Sequence, residues 1–218
     1  MFRMQVHEDG SLRITKFGPL GPFANNAYII SDDYSREAIV IDMPGGSAVV
    51  TAELRAHELR PKAIVLTHTH PDHWADYDLM KRETQAPVLC HPEEHIMPPE
   101  KADAPLTDGQ EISVGPYLVH ALHTPGHTPG STCFLVGRYL FSGDTLFPGG
   151  PGRTNTPQAL QQTIRSITER LFQLPADTQV LPGHGDDTTI ADAKLEYAAF
   201  AARQHPPDLC GDVIWAGS

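Results

Sequence analysis

Short apolar runs, each ended by a turn signal, recur along this chain and alternate with segments of helical periodicity. In the first half, runs at residues 26–30, 38–41 and 63–66 are rich in branched apolar side chains and predict strands. The first two runs are joined by a polar turn, which predicts a hairpin. A helix is expected over residues 47–59, before Pro61. The predicted order is therefore strand, strand, helix, strand.

The same kind of pattern continues beyond His73. A helix is expected from there to about residue 84, and residues 91–105, rich in Pro, Glu and His, predict a short helix and a loop. After a glycine-rich loop at 147–153, leucine and isoleucine recur at spacings of 4, 3, 4 and 3, which predicts an amphipathic helix. The apolar positions of this helix are Leu160, Ile164, Ile167, Leu171 and Leu174. The other expected elements are strands at 87–90, 111–114, 117–123, 132–136, 139–141 and 180–181, and a helix at 190–203.

This order of elements predicts an α/β fold in which two sheets are faced by helices and the connecting loops gather at one edge. A length of 218 residues suits one substantial domain, and no linker composition divides the chain. We therefore expect a single domain over residues 1–218.

The charge balance and the cysteine content narrow the classes of partner. With 16 basic and 27 acidic residues the formal net charge is −11, and no basic run occurs, so a nucleic-acid surface is not expected. Cys90, Cys133 and Cys210 are odd in number and far apart, which argues for a reducing compartment. The first ten residues lack the apolar core of a secretory signal, and no apolar run is as long as a membrane span. We expect a cytoplasmic protein without a membrane partner; no oligomeric state is predicted.

The segment Thr67-His68-Thr69-His70-Pro71-Asp72-His73 follows directly on the third apolar run. Alternation places His68 and His70 on the same side of an extended backbone, and Asp72 and His73 lie just beyond a proline. Three histidines and an aspartate within six positions have no evident packing role. The simplest interpretation is two ligands for one metal ion and two for a neighbouring ion.

Three further loops carry a candidate ligand in the same context, just after a strand-like run and beside Gly or Pro. They hold His127, Asp144 and His184, although Asp144 alone suits a turn or a helix cap equally well. Loops at one sheet edge would bring all seven side chains together. His123 is close in sequence to His127, and it either lines the same pocket or is an ordinary residue of its strand. The other histidines are taken as ordinary polar residues: His7, His57, His91, His95, His120 and His205.

The residue types indicate catalytic metal chemistry. Neutral imidazole suits zinc and iron, and a carboxylate can bridge two cations. A bound water would have its pKa lowered from about 15.7 towards about 7, which supplies hydroxide at neutral pH. We therefore expect two divalent metal ions, with zinc as the leading assignment and iron or manganese as alternatives, and we expect hydrolysis as the chemistry.

The pattern His68-x-His70-x-Asp72-His73, continued by His127, Asp144 and His184, resembles that of the metallo-β-lactamase superfamily. The resemblance implies an αββα sandwich of two mixed sheets faced by helices, with a metal site at the sheet edges. It implies a first metal ion on His68, His70 and His127, and a second on Asp72, His73 and His184. By the same resemblance, Asp144 bridges the two ions, and Asp72 is catalytic because it orients the nucleophilic hydroxide.

Within that superfamily, residues 124–128 and 142–147 resemble the glyoxalase II group, which cleaves the thioester of S-lactoylglutathione. Arg153 lies where that group carries a basic residue near the glutathione carboxylate, with a structural salt bridge as the alternative. Trp74 follows the Asp-His pair where the group has a small residue, so Trp74 either contacts substrate or packs. Only 34 residues follow His184, where full-length enzymes place a longer helical segment. The chain is thus similar to short glyoxalase II-like hydrolases.

The expected function is a dinuclear-metal hydrolase that cleaves a small-molecule thioester or related ester by attack of a metal-bridging hydroxide. One alternative is a persulfide dioxygenase with a single iron, a group that shares the motif at 142–147; another is a lactonase. A non-enzymatic metal-binding or regulatory domain with a vestigial site is the third, and the intact ligand set argues against it.

Overall fold

The apolar runs in the first half of the chain form one seven-stranded sheet. The computed structural model of the protein describes residues 2–215. The strands of this sheet neighbour one another in sequence order: β1 (Arg3–Asp9), β2 (Leu12–Leu20), β3 (Asn25–Asp32), β4 (Glu37–Ile41), β5 (Arg60–Val65), β6 (Val88–Cys90) and β7 (Ala104–Pro105). Strands β1 to β4 pair antiparallel, and β4 to β7 pair parallel.

The second half of the chain forms a six-stranded sheet and a small hairpin. The six strands are β8 (Glu111–Val114), β9 (Tyr117–His123), β10 (Thr132–Val136), β11 (Tyr139–Gly143), β14 (Gln179–Pro182) and β15 (Thr188–Thr189). Their order across the sheet is β15-β14-β11-β10-β9-β8, with β11 and β14 parallel and the other pairs antiparallel. The hairpin pairs β12 (Leu146–Phe147) with β13 (Gly150–Pro151).

Four helices cover the outer faces of the two sheets. They are α1 (Ala48–Ala56), α2 (Tyr77–Thr84), α3 (Pro157–Glu169) and α4 (Ile190–Ala201). Val50 and Met80 bring α1 and α2 against the first sheet, and Leu160 and Ile190 bring α3 and α4 against the second. A third cluster of apolar side chains fills the space between the sheets. The αββα layering expected from the sequence is confirmed.

Strand β4 shows why several runs are apolar without alternation. Ile39 and Ile41 point into the space between the sheets, whereas Ala38 and Val40 point into the cluster under the helices. Successive side chains of a strand lie on opposite faces of the sheet, and both faces of this one are covered. A continuous apolar run is therefore what its position requires.

The structure differs from the sequence prediction at several ends. Strand β1 was not predicted because it lies at the sheet edge with most of its side chains exposed, so it has no apolar run. Helix α2 begins at Tyr77 rather than at His73, because residues Pro71–His73 form a 3₁₀ turn. Helix α3 ends at Glu169, and Leu171 lies in a further 3₁₀ turn, Leu171–Gln173.

Helices α1 and α4 end two to three residues before the predicted limits, at Ala56 and Ala201. Between Cys90 and Ala104 the described helical structure is a single 3₁₀ turn, Pro99–Lys101. None of the helices found among residues 2–215 combines the length and the apolar character that crossing a bilayer requires.

Candidate metal centre

A buried carboxylate just beyond the neighbouring strand fixes the position of the loop that follows β5. Asp42 follows the last residue of β4 and accepts hydrogen bonds from the backbone N–H of Thr67 (2.9 Å) and from its hydroxyl (2.8 Å). The backbone carbonyl of Thr67 accepts a bond from Thr132 N–H of β10. The loop is thus tied to both sheets, and the next residue, His68, points into the space at their edge, buried from solvent.

A first group of candidate ligand atoms comes from His68, His70 and His127. One ring nitrogen of each lies within 4.8 Å of the other two. His127 Nε2 is 3.0 Å from His70 Nδ1. The other nitrogen of His127, Nδ1, donates to the carbonyl of Arg153 at 2.7 Å, which leaves the Nε2 lone pair facing the group.

A second group lies beside the first and consists of Asp72, His73 and His184. The Nε2 atoms of the two histidines are 3.2 Å apart, and Asp72 Oδ2 is 3.5 Å from the first and 3.4 Å from the second. Each histidine donates through Nδ1: His73 to Asp42 Oδ2 at 2.9 Å, and His184 to the carbonyl of Phe23 at 2.9 Å. Both Nε2 atoms therefore face into the group.

Asp144 stands between the two groups at the end of β11. Its Oδ1 lies 3.5 Å from His73 Nε2, and its Oδ2 lies 3.7 Å from His127 Nε2 and 3.6 Å from His184 Nε2. Two glycines allow this approach. A Cβ at Gly183 would collide with Asp144 Oδ1, and a Cβ at Gly152 would collide with the Asp144 carbonyl. One carboxylate therefore reaches both groups.

The side chains present fit metal ions. His68 Nε2 and Asp144 Oδ1 are buried without a hydrogen-bond partner, which is costly unless something else satisfies them. Ring nitrogens and the Asp144 carboxylate converge across the two groups at spacings of 3.0–3.7 Å. Imidazole and carboxylate donors at these spacings suit zinc or iron. The sequence prediction that these seven side chains come together is matched by their positions; that they bind metal stays a prediction.

The electrostatics of the two groups differ. Burial lowers the pKa of His68 well below its usual range, with the neighbouring imidazoles acting the same way, and burial also lowers the pKa of His70. For His73, burial lowers the pKa, but the Asp144 and Asp42 carboxylates prevail and raise it to about 9. His68 and His70 therefore offer neutral imidazoles, whereas a metal ion that binds His73 must displace a proton.

Asp72 is kept ionised in the same environment. Burial acts to raise its pKa, but the hydrogen bond with His184 and the charge of His73 outweigh burial and hold that pKa far below the usual range. Asn25, at the start of β3, contributes through its amide, which donates to Asp72 Oδ2 at 2.7 Å.

Three residues that shape the site were missed by sequence reasoning: Asn25, Asp42 and Glu94. Glu94 accepts hydrogen bonds from Thr69 N–H (2.8 Å) and Gly130 N–H (3.0 Å) and so ties the loop of His70 to that of His127. Asp42 directly follows an apolar run, as the candidate ligands do, so the sequence carried a signal for it. Neither Asn25 nor Glu94 had such a signal in the sequence.

A groove of about 420 Å³ opens beside the two groups. It is lined by the candidate ligands His127, Asp144 and His184, by residues 147–153, and by residues 212–214. Arg153 lies on its rim, where the guanidinium binds the Asp212 carboxylate at 3.0 Å. The alternative of a salt bridge is thus present, and contact of Arg153 with substrate stays a prediction.

Trp74 and His123 lie outside the described lining of this groove. The indole N–H of Trp74 donates to the carbonyl of Thr69 at 3.0 Å, and its ring packs against the core under α1 and α2. This position supports the packing alternative for Trp74; a contact with substrate stays untested. His123 stacks on His91, with ring centroids 3.9 Å apart, and its Nε2–H donates to the carbonyl of Pro129.

An αββα sandwich whose edge loops converge in two groups of histidine and aspartate, joined by one carboxylate, defines a class of metal-binding proteins. The family model described as "Metallo-beta-lactamase superfamily" matches residues 20–184 of this chain. The chain belongs to that superfamily, as the resemblance in the sequence implied.

Relatives of known sequence are similar over most of the chain. The "Probable metallo-hydrolase YqgX" of Bacillus subtilis is 34% identical over 193 residues, covering 79% of this chain and 90% of the relative. A "Hydroxyacylglutathione hydrolase" of Halorhodospira halophila is 36% identical over 189 residues, covering 85% of this chain and 71% of the relative.

Three solved structures share the fold. BLEG-1 B3 metallo-beta-lactamase has a TM-score of 0.71 at 30% identity, over 88% of this chain and 95% of its own. ETHE1 from Myxococcus xanthus has a TM-score of 0.66 at 29% identity, over 88% and 80%. TTHA1623 in a di-iron-bound form has a TM-score of 0.65 at 31% identity, over 79% and 93%.

Proposed function

We propose that this protein is a metal-dependent hydrolase that cleaves a thioester or a related ester. The observation that carries the proposal is the pair of adjacent ligand groups that share Asp144 and open into a groove. The similarity to a hydroxyacylglutathione hydrolase supports the choice of a thioester. S-Lactoylglutathione is thus the first substrate to test, among a wider set of acyl thioesters.

Two divalent ions are proposed as cofactors. His68, His70 and His127 would hold one, and Asp72, His73 and His184 the other, with Asp144 reaching both. When bound, such a pair lowers the pKa of water and stabilises negative charge on a carbonyl oxygen. We propose zinc, and the likeness to a di-iron-bound protein makes iron the first alternative to measure.

The protein's own groups position the reaction. Asp72 is proposed to orient a nucleophilic water, and the amide of Asn25 fixes the carboxylate by donating to Oδ2. Because its pKa is held low, Asp72 remains a hydrogen-bond acceptor at neutral pH. The bonds from His127 Nδ1–H to the Arg153 carbonyl and from His184 Nδ1–H to the Phe23 carbonyl keep both rings in the tautomer that leaves Nε2 free.

The test is thiol release by purified protein whose metal content has been measured. S-Lactoylglutathione, simpler acyl thioesters and a lactone form the substrate panel. We expect turnover of at least one thioester, lowered by about two orders of magnitude or more in His70→Ala. His120→Ala, a histidine on β9 that faces Glu111, is the matched control and should keep wild-type activity. No thioester turnover above the His70→Ala background would refute the proposal.

A second candidate is a persulfide dioxygenase with one iron, favoured by the likeness to ETHE1 from Myxococcus xanthus. The second ligand group argues for two ions rather than one. Elemental analysis and oxygen uptake with a glutathione persulfide separate the candidates. One iron per chain together with oxygen uptake would establish the second candidate in place of the first.

A further inference from the structure

The segment 211–215 contributes one wall of the groove and is anchored at both of its ends. Gly211 exchanges two backbone hydrogen bonds with Thr154, at 3.1 and 2.8 Å. Trp215 N–H donates to the carbonyl of Gly149 at 2.7 Å, and Arg203 donates to the Trp215 carbonyl at 2.9 Å. The segment 211–215 is therefore fixed against the loop that carries Arg153.

Within this segment the side chains alternate. Val213 and Trp215 are buried in the core cluster under α3 and α4, whereas Ile214 is 69% exposed and lines the groove. In an extended chain, alternate side chains take opposite sides, so anchoring Val213 and Trp215 directs Ile214 outward. Phe147 lines the same groove, with its ring centroid 6.4 Å from that of the candidate ligand His184. Phe147 and Ile214 thus form a partly exposed apolar wall of this groove beside the candidate catalytic centre, and an apolar groove of this kind marks a ligand-binding site.

The charges around the groove also favour an apolar ligand over an anionic one. Apart from the candidate ligands, the charged side chains in its described lining are Arg153 and Asp212. They bind each other at 3.0 Å, so the only cation of that lining is matched by an acid from the segment 211–215. The groove wall thus offers apolar side chains and no net positive charge to an anionic substituent.

We infer that the acyl part of the substrate is an apolar, uncharged arm that lies against Phe147 and Ile214, and that the segment 211–215 determines this specificity. The inference rests on the proposed hydrolysis of a thioester or ester and names the class of its substrate. Medium-chain acyl thioesters fit this description, whereas substrates with an anionic arm, such as a dicarboxylic acyl group, do not.

The first experiment measures binding and needs no turnover. Acetohydroxamate, hexanohydroxamate and glutaric monohydroxamate present the same metal-binding head with a short, an apolar and an anionic arm. Their dissociation constants are measured by calorimetry on metal-loaded protein. We expect hexanohydroxamate to bind about tenfold or more tightly than either of the others, because its additional methylenes leave water. Equal binding of the hexanoyl and acetyl probes, or tighter binding of the anionic one, would overturn the inference.

The second experiment uses hydrolysis of hexanoyl, acetyl and glutaryl thioesters of N-acetylcysteamine. In Ile214→Ser the ratio of kcat/KM for the hexanoyl and acetyl substrates should fall about fivefold or more. Leu195→Ser removes an equally exposed side chain (72%) on α4, outside the described lining of the groove, and should leave the ratio unchanged. An unchanged ratio in Ile214→Ser contradicts the inference.

The two proposals fail in different ways. Tight binding of the hexanoyl probe without hydrolysis of any thioester supports the apolar arm and rejects the proposed reaction. Hydrolysis of thioesters at equal rates for all three arms supports the proposed reaction and rejects the apolar arm.

Discussion

Substitution of Asp42 by asparagine is the most informative change at the edge of the candidate metal centre. The side chain is 2% exposed, and its two oxygens accept three hydrogen bonds, two from Thr67 and one from His73. In Asp42→Asn the amide nitrogen replaces one oxygen. If it faces His73, that ring can keep the contact only by accepting at Nδ1, which moves its proton to Nε2. The lone pair that faces Asp144 and His184 is then lost.

The magnitude follows from the number of bonds affected. One charge-assisted bond between buried partners is lost, and such a bond contributes about 1.5–3 kcal/mol. At about 1.4 kcal/mol per factor of ten, this corresponds to about 10–100-fold in affinity for a metal ion at Asp72, His73 and His184, the range found for residues that orient ligands. The free energy of unfolding of the metal-free protein should fall by about 2 kcal/mol.

Two assays measure these effects separately. Competition with a coloured chelator gives the affinity of each metal equivalent, and denaturant unfolding of the metal-free protein gives stability. Asp32→Asn is the matched control, because Asp32 is also buried and accepts a bond from Ser35 N–H (2.7 Å). Asp32 ends β3 at the opposite end from Asn25, so the control should lose stability but keep metal affinity. Wild-type affinity for both equivalents in folded Asp42→Asn, or an equal loss in the control, would refute the role given to Asp42.

Three further predictions concern the same centre. In Gly183→Ala the new Cβ would meet Asp144 Oδ1 and His73 Cε1, so the affinity of the second metal equivalent should fall at least tenfold. In the control Gly185→Ala the new Cβ meets no atom within 4 Å, so this variant should lose stability through backbone strain alone and keep its metal affinity. Metal uptake at His73 should release a proton at neutral pH, because the pKa of His73 is raised to about 9 in the metal-free protein. The affinity for metal should therefore rise about tenfold per pH unit up to that value. Calorimetry in buffers of different ionisation enthalpy measures the proton release, and a pH-independent affinity would contradict the prediction. Glu94→Ala leaves the buried N–H groups of Thr69 and Gly130 without their acceptor and should lower the free energy of unfolding by about 2–5 kcal/mol. Glu93→Ala, at an exposed neighbouring residue, should change the free energy of unfolding little. Equal denaturation midpoints for the two variants would show that Glu94 does not hold these loops together.

The candidate ligands were accessible from the sequence because their signal is local. Each follows a strand-like run, and a strand that ends at a sheet edge leaves the next residues in a loop at that edge. The density of imidazole between His68 and His73 has no other evident use, and His127, Asp144 and His184 repeat its context. The layering was accessible for a similar reason, since apolar runs without alternation require cover on both faces, as at β4.

The hydrogen-bond partners of those candidate ligands could be found only in the folded chain. Asn25 meets Asp72 across 47 positions, and Asp42 meets His73 across 31, through pairings that no local pattern encodes. Arg153 is paired with Asp212 over 59 positions, and Ile214 reaches the groove because Val213 and Trp215 are anchored in the core. The chemistry of the loop is a property of neighbouring residues, and the sequence alone determined it. The tautomer of each ring, the charge of the groove and the shape of its wall are properties of contacts between distant segments, and only the tertiary structure decided them.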